Sequence, residues 1–320
     1  MLAPQNTNSR EEFRMKFTKL TSAALAGATI LSILAPATTT FAATHEGGVI
    51  DNGGTPLAQT DTSEVGISFG DNIDNGNTGF LRLQKVPKVL DFGNHATFDK
   101  AFTTFTADGK NYANDKNNQH ASYDNSVASK TPLLNVGQDA ALKDVANKAW
   151  VTVVDKQATR ATAPGMDKTT TQNGGDWTLN VAADDTLKTT SGQTIDGANL
   201  LFKHTNYALT QDVYKLTNSD QDKTYTDDMG KLATSVVKGT APIGTDAAHL
   251  TDTFSVSLAA PASGATAKQQ MVGHADKDHG TGANVFAWAP EDLQLVMPTD
   301  AAVANAIYKT SLTWTLSAVK

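Results

Sequence analysis

The stretch Trp177-Thr178-Leu179-Asn180-Val181 alternates apolar and polar residues, and Leu312-Thr313-Trp314-Thr315-Leu316 repeats that pattern near the C-terminus. In a β-strand, residues i and i+2 share one face, so each Trp lies beside its Leu. Thr178 and Thr315 lie on the opposite face. The two Trp-x-Leu triplets therefore predict two amphipathic strands.

Two roles for the tryptophan faces are compatible with this pattern. Trp and Leu on one strand face commonly pack in a core, but a Trp ring is also suited to stacking against a ligand. The sequence leaves both alternatives open. The candidate ligand-binding or structural residues are Trp177, Thr178, Leu179, Trp314, Thr315 and Leu316.

Short alternating or apolar segments recur along the rest of the chain, between polar and Gly-rich turns. They cover residues 80–87, 89–93, 150–154, 195–202, 254–258, 285–288 and 293–297. Residues 138–148 and 300–306 are the two candidates for short helices, and residues 110–129 and 260–282 are expected to be surface loops. The pattern predicts an all-β, antiparallel sandwich or barrel-like fold with long polar loops and at most one or two short helices.

The N-terminal segment has the order of a secretion signal. A basic stretch, Met15-Lys16-Phe17-Thr18-Lys19, precedes an apolar run at 20–34 and the small residues of Thr40-Phe41-Ala42. The run is ~15 residues, shorter than the ~20 that span a bilayer. We therefore predict a signal peptide over residues 1–42, with Met15 as a possible true start. A flexible lead-in at 43–66 and a single domain at 67–320 follow.

The charge and the cysteine count exclude several classes of partner and of cell attachment. The chain has 33 acidic and 26 basic residues, a net charge of −7, so its overall field does not steer it toward nucleic acid. With no cysteine, it forms no disulfide, thiolate zinc site or lipoprotein anchor. The C-terminus carries no sorting motif or apolar tail, and no second run is long enough to span a membrane. We expect non-covalent attachment to the cell and no membrane span after signal cleavage.

Catalytic and metal-binding patterns are weak. No phosphate-binding Gly-rich loop or Gly-x-Ser-x-Gly nucleophile turn occurs, so we expect no enzyme activity and no cofactor. His274-Ala275-Asp276-Lys277-Asp278-His279 offers metal-ligand types, but Lys277 interrupts it, and a flexible loop is the simpler interpretation. In Asp71-Asn72-Ile73-Asp74-Asn75-Gly76, Ile73 stands where a calcium loop needs oxygen. We predict no metal site.

Several blocks of the chain, taken in order, resemble the WxL family of wall-associated surface proteins. They are residues 79–93, then 151–155 with 175–179, then 282–285 through 296–298, and finally Tyr308 with 312–316. By this resemblance, the two Trp-x-Leu triplets correspond to the two motifs of the family.

The resemblance implies a secreted protein on the surface of a Gram-positive cell, bound non-covalently to peptidoglycan in the cell wall. It also implies a surface complex with WxL-interacting proteins and sortase-anchored proteins. An alternative is an adhesin that binds a host or dietary polysaccharide or protein, with wall contact made through a partner protein.

Overall fold

The computed structural model describes residues 46–47, 59–65, 78–124, 126, 130–137, 139–162, 174–211, 213, 239–263 and 265–318. The predicted signal peptide and the loop at residues 71–76 lie outside the described residues. No described helix is long and apolar enough to cross a bilayer.

The described residues form twenty strands. They are β1 (Glu46–Gly47), β2 (Gln59–Val65), β3 (Thr78–Gly79), β4 (Leu81–Lys85), β5 (Val89–Leu90), β6 (Asn94–His95), β7 (Thr104–Thr106), β8 (Lys110–Asn111), β9 (Asn118–His120), β10 (Ala149–Asp155), β11 (Trp177–Ala183), β12 (Leu187–Lys188), β13 (Thr194–Ile195), β14 (Asn199–Phe202), β15 (Asn206–Thr210), β16 (Phe254–Ser257), β17 (Gln270–Ala275), β18 (Gly282–Trp288), β19 (Leu293–Val296) and β20 (Thr310–Ala318). 3-10 segments with bounds in the described residues are Asp115–Asn117, Ala140–Val145, Gln157–Thr162 and Pro290–Asp292. The predicted all-β class is confirmed, and the sheets pack as a sandwich.

A five-stranded sheet, which we name the motif sheet, contains both Trp-x-Leu triplets. Its strand order is β17-β11-β20-β2-β5, and the β11 and β20 pair is antiparallel. Burial alternates along β20, from buried Leu312, Trp314 and Leu316 to half-buried Thr and Ser between them. This is the two-residue period of a strand with one face in a core.

A second sheet, in the order β15-β18-β10-β4, is covered on both faces. All seven residues of β18 are buried. Phe286 and Trp288 of this strand face the main core, while Val285 packs with Leu142 and Val145 of the 3-10 segment at Ala140–Val145. A strand covered on both sides has an almost continuous apolar sequence, as β18 does.

A third sheet, in the order β16-β14-β19-β7-β8, completes the main core. Its inward side chains, such as Leu200 and Phe202, belong to one apolar cluster with residues of the other two sheets. Three two-stranded sheets, β1-β3, β6-β9 and β12-β13, complete the strand pairing among the described residues. One core therefore fixes the position of both motifs.

Some local predictions were wrong. Residues 260–282 were expected to be a loop, but β17 lies within them and pairs with β11. The expected loop at 110–129 contains β8, β9 and a 3-10 segment, and residues 300–306 form no helix. Gln59–Val65, inside the predicted lead-in, is a strand paired with β20. The missed strands lack clear alternation in their sequence, and pairing with a neighbouring strand determines their local structure.

Candidate functional site

The two motifs lie side by side on neighbouring strands of the motif sheet. In the antiparallel register Leu179 pairs with Leu316, Trp177 with Ala318, and Val181 with Trp314. The two tryptophans therefore flank a central leucine pair on the same face of the sheet. The chain brings together two triplets that are distant in sequence, which the sequence pattern alone did not predict.

That shared face points into the protein. Trp177, Leu179, Trp314 and Leu316 have no exposed surface. The ring of Trp177 meets that of Phe286 edge to face, with centroids 6.4 Å apart. In this structure the tryptophan faces are part of the core.

Trp314 lies in an aromatic cluster. Its ring centroid is 6.0 Å from that of Trp288 and 6.1 Å from that of Phe202, the latter edge to face. Phe202 in turn stacks on Phe254 at 4.7 Å. Offset and edge-to-face aromatic pairs add about 0.5–1.5 kcal/mol each to the effect of burial. The second motif thus joins the motif sheet to the other two sheets.

Trp177 also has a polar partner. Its indole Nε1–H donates a hydrogen bond of 3.2 Å to Oδ2 of Asp155, which also accepts from the backbone N–H of Gly175 at 2.7 Å. The backbone N–H of Gln157 donates to Oδ1 of Asp155 at 2.9 Å. Asp155 therefore ties the end of β10 to the turn that leads into the first motif.

Asp155 is fully buried, and the pKa of its carboxyl group departs from the ordinary value. Burial raises the pKa of its carboxyl group to about 7, although hydrogen bonds from Gly175, Gln157 and Trp177 oppose that rise. Removal from water disfavours the charged form, which explains the direction. Sequence reasoning missed this residue; the available signal was an acid at the end of an apolar strand.

Gly175 is adapted to this arrangement. Its φ of +85° is in the left-handed region, and a Cβ at this position would collide with the backbone carbonyl of Asp276. Gln157 Nε2 donates to the carbonyl oxygen of Gly175 at 2.8 Å. The glycine at position 175 therefore has a steric cause, since a residue with a Cβ would collide there.

The opposite face of the motif sheet carries short, neutral polar side chains. We call this set the outer face: Thr178, Asn180, Thr313, Thr315 and Ser317, all half-buried. Thr178 pairs with Ser317, and Asn180 pairs with Thr315. The middle residues of both motifs therefore lie on one continuous polar surface.

A histidine and aspartate network lies at one edge of the outer face. Thr178 Oγ1 lies 3.0 Å from Nδ1 of His274, which is on the adjacent strand β17. Nε2 of His274 lies 3.1 Å from Oδ1 of Asp276, and Nε2 of His249 lies 2.8 Å from Oδ2 of the same carboxylate. Hydrogen bonds to Asp276 and Asp246 raise the pKa of His249.

The structure separates the His and Asp residues that the sequence grouped between 274 and 279. His274 and Asp276 contact each other, whereas Nδ1 of His279 lies 3.1 Å from the backbone oxygen of Lys277. Within the part of the chain that the structure describes, no group of three or more His, Asp or Glu side chains is arranged to hold a metal ion. His249, distant in sequence, is the partner that sequence reasoning missed.

Comparison with known proteins places the chain in a family. Residues 53–319 match the model of the WxL domain, described as surface cell wall-binding. Since this match covers most of the sequence, the chain belongs to the WxL domain surface cell wall-binding family. Searches of curated proteins and of solved structures found no match. The match begins ahead of β2, in agreement with the inclusion of that strand in the motif sheet.

Proposed function

We propose that this protein is secreted, attaches non-covalently to peptidoglycan on a Gram-positive cell surface, and takes part there in a surface protein complex. Membership of a surface cell wall-binding family supports wall attachment. The family resemblance supports WxL-interacting and sortase-anchored proteins as the partners in the complex. The proposed role is binding, without catalysis.

One observation carries the proposal about how the motifs act. Both Trp-x-Leu triplets turn their Trp and Leu inward and their Thr outward on paired central strands. The tryptophans therefore contribute by holding the sheet in place, and the side available to a ligand is the outer face.

The outer face suits an uncharged hydrogen-bonding contact. Hydroxyl and amide groups donate and accept hydrogen bonds, and peptidoglycan presents hydroxyl and amide groups in return. The five outer-face side chains are uncharged, but carboxylates border them: Thr313 Oγ1 donates to Oδ1 of Asp184 at 2.6 Å, and Asp276 lies beside His274 at one edge. Hydrogen bonds, and not charge attraction, would therefore supply the affinity for an anionic wall. Each net hydrogen bond contributes about 0.5–1.5 kcal/mol, so several along the sheet are needed for useful affinity.

The test is co-sedimentation of residues 43–320 with purified peptidoglycan. Asn180→Val with Thr315→Val removes hydrogen-bonding groups from a cross-strand pair while keeping strand-compatible shapes. Ser255→Val with Ser257→Val is the matched control, because these exposed residues lie on β16 of the third sheet. We expect the wild type and the control to sediment, and the outer-face variant to remain largely in solution.

Two other outcomes contradict parts of the proposal. If the folded wild type fails to sediment, attachment to peptidoglycan is wrong, and binding to a soluble polysaccharide would then favour the adhesin alternative. If the outer-face variant sediments as the wild type does, the contact lies elsewhere on the domain. Circular dichroism of all variants checks that the fold is retained.

A further inference from the structure

A cleft of about 780 Å³ opens near the beginning of β20, away from the paired triplets. One wall comes from residues 92–105, a second from the short β12-β13 ladder, and a third from residues 295–308. Sites for small ligands commonly have volumes of about 300–1,000 Å³. The cleft is therefore of a size for a fragment rather than for a length of polymer.

The cleft has an apolar floor and aromatic sides. Phe92, Phe105 and Met297 are buried beneath it, and the rings of Phe98 and Tyr308 are half-exposed. The hydroxyl oxygen of Tyr308 accepts a hydrogen bond of 2.9 Å from the backbone N–H of Ala304. This bond fixes the Tyr308 ring against its loop and leaves its O–H group able to donate to a ligand.

The polar lining is neutral or basic. Asn94, Thr97 and Asn305 supply uncharged hydrogen-bonding groups, and the exposed Lys100 supplies a positive charge. The lining contains no Asp or Glu, although the chain has 33 of them. Burial lowers the pKa of His95, which favours its neutral form. The cleft therefore favours a neutral or anionic ligand.

We propose that this cleft binds an N-acetylated amino-sugar unit of the wall glycan whose carboxylate is free, that is, not joined to a stem peptide as an amide. The inference rests on the proposed attachment to peptidoglycan and names a subsite for it. The C–H face of a sugar packs on half-exposed rings such as Phe98 and Tyr308, as apolar surface packs on aromatic faces generally. An acetamide methyl group fits the apolar floor, and the carboxylate lies toward Lys100.

The rim also has apolar residues that would suit a different occupant. Val303 is 39% exposed and Ile307 is 43% exposed. An apolar segment of a partner protein could cover these side chains. The neutral hydrogen-bonding groups and the lysine beside the aromatic rings favour the sugar, because an apolar segment would leave them without partners.

Isothermal titration of residues 43–320 with soluble wall fragments tests the assignment. The probes are an N-acetylated amino sugar bearing a carboxylate, the same compound with its carboxylate amidated, and the corresponding sugar without the acetyl group. We expect the first to bind best. Lys100→Gln should weaken it roughly two- to fivefold, as expected for one exposed ion pair, without affecting the amidated probe.

Two further variants sharpen the test. Phe98→Ala removes a ring at the side of the cleft and should abolish measurable binding of the fragment. Lys143→Gln is the control for charge, since this exposed lysine lies on the 3-10 segment at Ala140–Val145. Binding of the fragment with equal affinity by the wild type, Lys100→Gln and Phe98→Ala would overturn the assignment.

The failure of the subsite and the failure of wall attachment are distinguishable. If intact peptidoglycan binds and no fragment does, the cleft is not a sugar site, and a partner segment becomes the occupant to test. If neither the intact wall nor the fragments bind, the proposed function itself fails and the subsite fails with it.

Discussion

The two motifs have the same triplet and the same strand geometry, but the structure holds their tryptophans in different ways. Trp177 donates its indole N–H to the buried carboxyl group of Asp155. Trp314 packs among the rings of Trp288 and Phe202. The first motif is tied to a titratable group, and the second is packed into an aromatic cluster. A repeated motif therefore need not have the same response to mutation or pH at both copies.

Of the changes that test this comparison, Trp314→Ala should cause the largest loss of stability. It leaves a cavity in an aromatic cluster that joins three sheets, and such truncations cost about 3–5 kcal/mol. We expect denaturant unfolding to show that loss with little change between pH 5 and pH 8. A strong pH dependence of the loss would mean that the second motif is also coupled to a titratable group.

Much of the fold was predictable because it follows local patterns. Alternation in residues 177–181 and 312–316 predicted β11 and β20, and the apolar run at 150–154 predicted β10. β17 was missed because Gln270-Met271-Val272-Gly273-His274-Ala275 shows no clear alternation. Its strand conformation depends on pairing with β11, which is a tertiary interaction.

The site was only partly predictable for a related reason. A two-residue period shows that Trp and Leu share a face, but not whether that face is buried, since this depends on the other sheets. The bond between Asp155 and Trp177 requires two elements separated by a long connection. Three-dimensional pairing likewise brings His249 to Asp276. No motif in the sequence marks either contact.

The pH dependence of stability should separate the motifs by a smaller amount. Asp155 has a folded pKa of about 7, above its ordinary value of 3.8. A raised carboxyl pKa means that the folded state holds the proton more tightly, so this stabilisation is present at low pH and is lost as pH rises toward 7. Between pH 5 and pH 7, Asp155 alone should contribute a decline in stability on the order of 1 kcal/mol per pH unit, which denaturant unfolding measures.

Asp155→Asn is the control for this pH effect. Its amide cannot ionise, so its stability should decline less steeply with pH than that of the wild type. Burial also raises the pKa of Asp91 to about 6, and this contribution has the same sign in both proteins. The difference between the two curves therefore isolates Asp155. Parallel curves would show that Asp155 does not titrate differently in the folded and unfolded states.

Trp177→Phe should have the smallest effect of these changes, and that effect should be specific to the pKa of Asp155. It retains an aromatic ring in the core but removes the N–H that donates to Asp155 Oδ2. That bond stabilises the carboxylate, so its loss should raise the pKa of Asp155 further, by about one unit or less. NMR titration of the Asp155 carboxyl carbon measures the shift directly. An unchanged pKa would show that the hydrogen bond from Trp177 does not stabilise the carboxylate, and that Trp177 contributes through packing.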